Sequence, residues 1–270
     1  MKLLARVLVS LASFGLLLAV WEGVVVLFHV APYIAPRPLA AIEAVTNNWS
    51  LLWPLVLEII RETLFGFLAG AAIGVFFGVT MSKVRLVQRI FYPQLILSQA
   101  VPVIAIAFPL TAILGFGSVK PIIAIVMWIV FFPVTVNVLD GLSHVDRDLL
   151  NLAKVYGASR WRTFWVIEAP ATVTPLFSGL KIGATYAITG SFIGELVSPA
   201  GSGSSLALYV EHANSNFEPA SVYGVTMLMA LIGVTWFLAV AGAEVLATPW
   251  QRRSVARRAK GRIAAPSPDN

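Results

Sequence analysis

The chain has 270 residues, 58% of them hydrophobic and only 12% charged, with a mean hydropathy of +0.84. A soluble domain carries about twice that charged fraction, so apolar residues beyond the needs of a core are expected to face lipid. Cysteine is absent, which excludes disulfides, thiol catalysis and Cys-ligated metal. His29, His144 and His212 are too far apart in sequence to make a metal-ligand spacing.

A bilayer core about 30 Å thick is crossed by roughly 20 apolar residues in helix. Six segments meet that requirement, at about 8–30, 58–81, 91–115, 120–141, 176–197 and 220–246. Helices are predicted because a lone span must satisfy its own backbone in lipid. The runs are also too long for the alternating strands of a transmembrane barrel. The fold class is therefore an all-α polytopic membrane protein.

The segment from Met1 to about Val20 has a basic start like a secretory leader. It lacks a small-x-small cleavage site and is read as a retained first span. With the N-terminus cytoplasmic, all of the 19 Lys and Arg except Arg37, Arg61 and Lys120 fall on inside segments. The outer loop expected at about 198–219 holds Glu211 and Glu218 and no cation. This is the positive-inside pattern, and it predicts that both termini are cytoplasmic. The formal charge of +6 is then a topology signal, and no nucleic-acid partner is expected.

Residues 1–57 are read as the first span and an outer loop, and 58–250 as a core of about five spans. Residues 251–270 form a basic, partly disordered tail. Its run from Arg252 to Arg262 fits attraction to anionic membrane lipid.

In the first span, Glu22 calls for a buried polar partner, with a transport role as the alternative. Trp49 and Trp53 fit an interfacial belt ahead of the second span, and Glu58, Arg61 and Glu62 fit local pairing along one helix. Gly66, Gly70, Gly74 and Gly78 recur every fourth residue, a spacing that lets helix backbones approach closely in lipid. That packing lies either inside one subunit or across a dimer.

The third span carries Gln94, Ser98 and Gln99 ahead of Pro102 and Pro109, which suits either a solute path or a structural kink. The fifth has a second small-residue stripe, Gly179, Gly183, Ala187 and Ser191, leading to Glu195. Glu195 reads either as path lining or as an anchor near the membrane surface. Thr185, Tyr186, Thr189 and Ser191 supply polar groups to the same path, or hydrogen bonds between helices.

The longest insertion, at about 142–175, lies on the predicted cytoplasmic side. Leu149, Leu152, Ala153 and Tyr156 recur with helical spacing while Asp146, Arg147, Asp148 and Lys154 stay polar, which predicts an amphipathic helix stopped at Gly157. Ala158-Ser159-Arg160 supplies a turn and a cap before a second helix from Trp161 to about Glu168. Pro170 and Pro175 are expected to break that helix ahead of the fifth span. A helix–turn–helix of this kind suits docking into a groove of a partner.

At these residues the sequence resembles the permease subunits of ABC importers, whose cytoplasmic motif reads EAA, three residues, Gly, nine residues, Ile, one residue, Leu-Pro. Ala153, Gly157, Ile167 and Pro170 match it, while Asn151, Leu152 and Ala169 depart. Further pieces fall in the family's order, among them Ala35-Pro36-Arg37-Pro38, Glu62-Thr63-Leu64, Val101-Pro102, Ser178-Gly179-Leu180-Lys181, Gly194-Glu195-Leu196 and Pro249-Trp250. Together they are similar to the nitrate, sulfonate, taurine and pyrimidine-precursor branch of type I importer permeases. Within it, the stretches at 177–181 and 213–215 look most like permeases for thiamine pyrimidine precursors and riboflavin-type solutes.

The resemblance implies a bacterial inner-membrane transport subunit with six spans and a cytoplasmic coupling helix, and not an enzyme. Asn151, Ala153, Lys154, Gly157, Ala158, Ser159, Arg160, Ile167 and Pro170 would then contact an ATPase dimer, which holds ATP and Mg. This chain has no GxxxxGK[ST] phosphate loop of its own, and no cofactor is expected on it. A second permease copy and an external solute-binding protein complete the implied assembly. The path would draw on Gln94, Ser98, Gln99, Pro102, Thr189, Ser191 and Glu195. The distant alternative is an ion-coupled secondary transporter using Glu22, Glu195 and Glu244.

Overall fold

A computed structural model describes the backbone of residues 2–199 and 204–249, with side chains from Phe14 onward. The predicted tail at 251–270 lies outside the described residues. Among them every regular element is helical. In chain order these are α1 (Lys2–Leu27), α2 (Pro38–Asn47), α3 (Trp49–Lys83), α4 (Arg85–Ala100), α5 (Val103–Leu114) and α6 (Val119–Ser143). There follow α7 (Arg147–Val155), α8 (Arg160–Thr163), a π turn (Phe164–Glu168), α9 (Ala169–Val197), α10 (Leu206–Ser215) and α11 (Pro219–Ala247). Helices α3, α6 and α11 are each long and apolar enough to cross a membrane, and α4 with α5 makes a fourth candidate if the bent pair is one span.

Several elements differ from the sequence expectation. The third span is broken: α4 and α5 are separate helices bent by 104°. The reason lies at Val101-Pro102, where Pro102 cannot donate a backbone hydrogen bond and forces its predecessor out of the helical region. Val101 is accordingly extended, with φ −84° and ψ 122°. The second span begins earlier than expected, so Trp49 and Trp53 stand inside α3, their rings 5.4 Å apart. The expected outer loops contain helices α2 and α10, and Ser205 caps α10 by accepting the Leu208 N–H.

Pro170 and Pro175 do not break the chain before the fifth span. Pro175 sits inside α9, and helix continues from Arg160 through the π turn to Val197. In a regular helix Pro170 would have to donate to the Val166 carbonyl, which it cannot do. The wider register absorbs the mismatch, with the Ala169 N–H donating to the Phe164 carbonyl. π turns of this kind interrupt α-helices as single turns.

The described residues divide into two compact units, 2–64 with 104–125, 188–199 and 204–232, and 65–103 with 126–187 and 233–249. The first unit has a core of Leu52, Leu55, Val56, Ile59, Leu206 and Val225. Its Glu22 pairs with Arg37 at 3.7 Å, both side chains well exposed, so the expected buried partner is replaced by a surface one.

The second unit is built on α6. A Cβ added at Gly70 would meet the Met127 carbonyl oxygen at 2.7 Å, and ones at Gly74 and Gly78 would meet Val134 and Val138 at 2.8 Å. From α9, Gly179 lies against the Pro133 carbonyl oxygen at 2.7 Å and Gly183 against Val130 at 3.1 Å. Both small-residue stripes therefore pack inside this chain, with Val126, Val130, Val134 and Val138 of α6 buried between them. Gly66, at the head of the first stripe, is buried as well. The half-buried Lys181 pairs with Glu244 at 2.7 Å, which leaves Glu244 with a structural partner.

Because the seam brings backbone onto side chain, Gly74→Val is expected to cost about 1–3 kcal/mol through overpacking. Gly242→Val, whose Cβ meets nothing within 4 Å, is the matched control. Thermal unfolding in detergent should show a clear loss for the first and little change for the second.

Candidate functional site

Two groups of residues stand out, one in each unit. In the second unit the stretch from Asp146 to Glu168 forms a short helical insertion. Asp146 caps α7, its carboxylate accepting the Asp148 N–H at 2.8 Å, a signal present in the sequence as Asp-Arg-Asp-Leu but not read as a cap. The helix ends at Tyr156, and Gly157 follows with φ +72°, the left-handed conformation that favours glycine at a helix stop. The Ala158 N–H then donates to the Ala153 carbonyl at 2.9 Å. Ser159 caps α8 by accepting the Arg162 N–H at 3.3 Å.

The insertion exposes apolar and aromatic side chains. Val155 is 83% exposed, Tyr156 80% and Trp161 73%, and Leu149, Leu152, Trp165 and Val166 are also open. Trp161 and Trp165 pack edge to face at 5.6 Å. Asn151, Lys154, Gly157, Ser159, Arg160 and Pro170 share this exposure, while Ala153, Ala158 and Ile167 are half-buried. Contiguous exposed apolar surface of this kind marks an interaction site.

At the root of the insertion, Lys83 at the end of α3 forms an ion pair with Glu168. Its Nζ also lies 5.4 Å from the centre of the Phe164 ring. Neither contact has a signal in the sequence, because the partners are far apart along the chain.

In the first unit, Glu195 and Glu62 are both 1% exposed and lie near one another, and neither Glu62 Oε2 nor Glu195 Oε1 has a hydrogen-bond partner. Glu195 Oε2 accepts the Ala207 N–H at 3.0 Å, in the first turn of α10. A carboxylate is favourable at that helix end. Beside the pair, Thr63 Oγ1 and Ser191 Oγ are 2.7 Å apart and buried. The local pairing expected of Glu58, Arg61 and Glu62 does not include Glu62, which is buried near Glu195 instead.

The expected path residues are drawn from both units. Ser191 and Glu195 belong to this buried polar cluster, and Thr189 is exposed. Ser98 Oγ donates to the Leu95 carbonyl at 2.7 Å, and Gln99 donates to Ser98 at 3.3 Å. Gln94 and Ser98 line a cavity of about 250 Å³ with Phe77, Phe91, Trp128 and Phe131. Pro102 sits exposed at the break between α4 and α5. A cavity of about 860 Å³ in the first unit is bordered by His29, Arg37, Phe217 and Glu218. His29 and Phe217 both have positive φ, 50° and 57°. No group of three or more His, Cys, Asp or Glu suited to a metal occurs among the described residues.

Residues 70–244, more than half of the chain, match the family model described as the binding-protein-dependent transport system inner membrane component. The chain belongs to this family. A protein named "Probable ABC transporter permease protein" from Haemophilus influenzae is 30% identical over 87% of this chain and 94% of its own length. The formylaminopyrimidine transport permease protein ThiX of Halalkalibacterium halodurans is 29% identical over 89% and 94%. The riboflavin transport system permease protein RibX of Chloroflexus aurantiacus is 28% identical over 87% of each. The permease is thus a multi-pass transport subunit of the type I ABC importer class and not an enzyme. Its family implies an ABC ATPase and a solute-binding protein as partners. Membership sets aside the ion-coupled secondary transporter.

Glu195 accepts from Ala207, whereas a Glu62 carboxyl oxygen is buried without a partner. Glu62→Gln is nearly isosteric and removes a buried acid, and is expected to preserve thermal stability. Glu195→Ala strips the Ala207 N–H of its partner and is expected to cost about 1–3 kcal/mol. Faster hydrogen exchange at the Ala207 amide, seen by mass spectrometry, is the local readout.

Proposed function

We propose that this chain is the six-span permease of an ATP-driven importer, with both termini cytoplasmic. The observation that carries the reading is the exposed apolar face of the 146–168 insertion on a chain of this family. A surface bearing Leu152, Val155, Tyr156, Trp161 and Trp165 is costly to leave in water, and burial in a groove of the ATPase relieves that cost. Arg147, Lys154, Arg160 and Arg162 around it supply charge for registering the contact. ATP and Mg belong to the ATPase. Its closure and opening would move the insertions of two permease copies, most simply a homodimer, and switch access from one side to the other.

Solute would arrive from an external binding protein. The exposed Phe28, Tyr33, Ile34 and Phe217, near the cavity bordered by His29 and Arg37, support this region as its contact. For cargo, ThiX and RibX favour a thiamine pyrimidine precursor or a related vitamin precursor. A taurine permease, TauC of Escherichia coli, is 24% identical over 91% of this chain, so the second reading is sulfonate, taurine or nitrate.

The direct test is to purify the tagged permease from its own host in mild detergent and identify what accompanies it by mass spectrometry. A stoichiometric P-loop ATPase is expected. Valine at position 157 would be strained by about 1–3 kcal/mol at positive φ, which moves the helix stop. Gly157→Val should therefore retain membrane insertion and lose at least about tenfold in bound ATPase. Undiminished ATPase in that variant would remove the insertion from the docking role.

A further inference from the structure

The π turn at Phe164–Glu168 separates the exposed insertion from α9. Lys83, the last residue of α3, reaches across to it and touches its two ends together. The Lys83 ammonium forms an ion pair with the carboxylate of Glu168, the last residue of the turn. It also stands 5.4 Å from the ring centre of Phe164, the first residue. The ring is itself held from behind, because Phe164 packs against the core cluster of Phe67, Val134, Val138 and Leu142. On its other side it meets Trp165 edge to face at 5.2 Å. The Glu168 side chain is only 14% exposed, so its charge depends on this one cation among the ion pairs of the described residues.

Single π turns are strained interruptions that recur at functional sites. A cation bound at once to both ends fixes the turn's length, since relaxation toward a regular helix would shift Glu168 by a residue's rotation relative to Phe164. We infer that Lys83 is a positioning residue that clamps the π turn, so that a displacement of the insertion is carried into α3 and α9 as one rigid piece. This rests on the reading of the insertion as the ATPase-docking element. Lys83 touches neither nucleotide nor solute; it acts through Glu168 and Phe164.

The chain has no native cysteine, so a spin-label pair can be placed on it without background from its own thiols. Labels at Val84→Cys, beside the end of α3, and Asp148→Cys, on α7, both replace exposed side chains. Electron–electron distances are then measured on the full complex, purified with its own ATPase, without nucleotide and after trapping with ATP and vanadate. With Lys83 present, and labelled chain diluted with unlabelled so that separations between copies do not contribute, one narrow intra-chain separation is expected in both states. Lys83→Gln is expected to keep the ATPase bound while a second population of distances appears on trapping. Lys83→Arg retains the charge and stacks on the ring, and is expected to restore the single separation. The same loss is expected from Glu168→Gln.

A single narrow intra-chain separation in Lys83→Gln would overturn the clamp, as would two populations of that separation in the parent complex. If no ATPase accompanies the parent chain, the docking reading fails instead. The clamp is then still decided by nucleotide-free distances in the isolated chain, where Lys83→Gln must broaden the distribution and Lys83→Arg must not.

Discussion

The approach of two glycine stripes to one helix is the constraint on which the second unit depends. Gly70, Gly74 and Gly78 of α3 and Gly179 and Gly183 of α9 meet α6 so closely that an added Cβ would fall at 2.7–3.1 Å from its atoms. In lipid, apolar burial gives helices little reason to associate, and dispersion at short range has to supply it. Val130 and Val134 of α6, contacted from both sides, are β-branched and hold one rotamer in a helix. Smooth glycine surfaces against stiff valines make a seam that loses little side-chain entropy as it forms.

Several polar groups inside the two units are paired, while Ser198 Oγ and Trp236 Nε1 are buried without a partner. Thr111, Thr135 and Thr172 each return a hydroxyl to a carbonyl four residues back, a local solution for a hydroxyl on an apolar helix. Thr63 and Ser191 use each other. Glu195 reaches out of α9 to the first turn of α10, so the acid at the end of a span also organises the segment after it. Lys181 and Glu244 neutralise one another where neither is well exposed. The 146–168 insertion, by contrast, carries an exposed apolar face.

How much of this was legible in sequence depended on whether the controlling interaction was local. The period-four glycines announced close packing, and the structure decided that it falls within one chain. Gly157 announced a helix stop because only a residue without Cβ takes φ +72° cheaply. Helices α2 and α10 were hidden because ten residues of mixed polarity carry too little periodicity to stand out from a loop. The prolines misled in both directions. Pro102 ends a helix outright, whereas Pro170 and Pro175 are absorbed, the first by a change of register that composition cannot announce. Glu62 read as part of a local pairing group with Glu58 and Arg61, and its place near Glu195 is fixed by tertiary burial alone.

The seam has a consequence for leakage. A membrane transporter must never open a continuous aqueous thread, or the ion gradients across the bilayer run down. Where glycine Cα atoms lie against carbonyl oxygens and valine methyls, there is no void wide enough for a file of water, and separating the helices would strip both sides of dispersion contacts at once. Opening the α3–α6–α9 seam would have to strip those contacts, so in this structure the seam is closed to water.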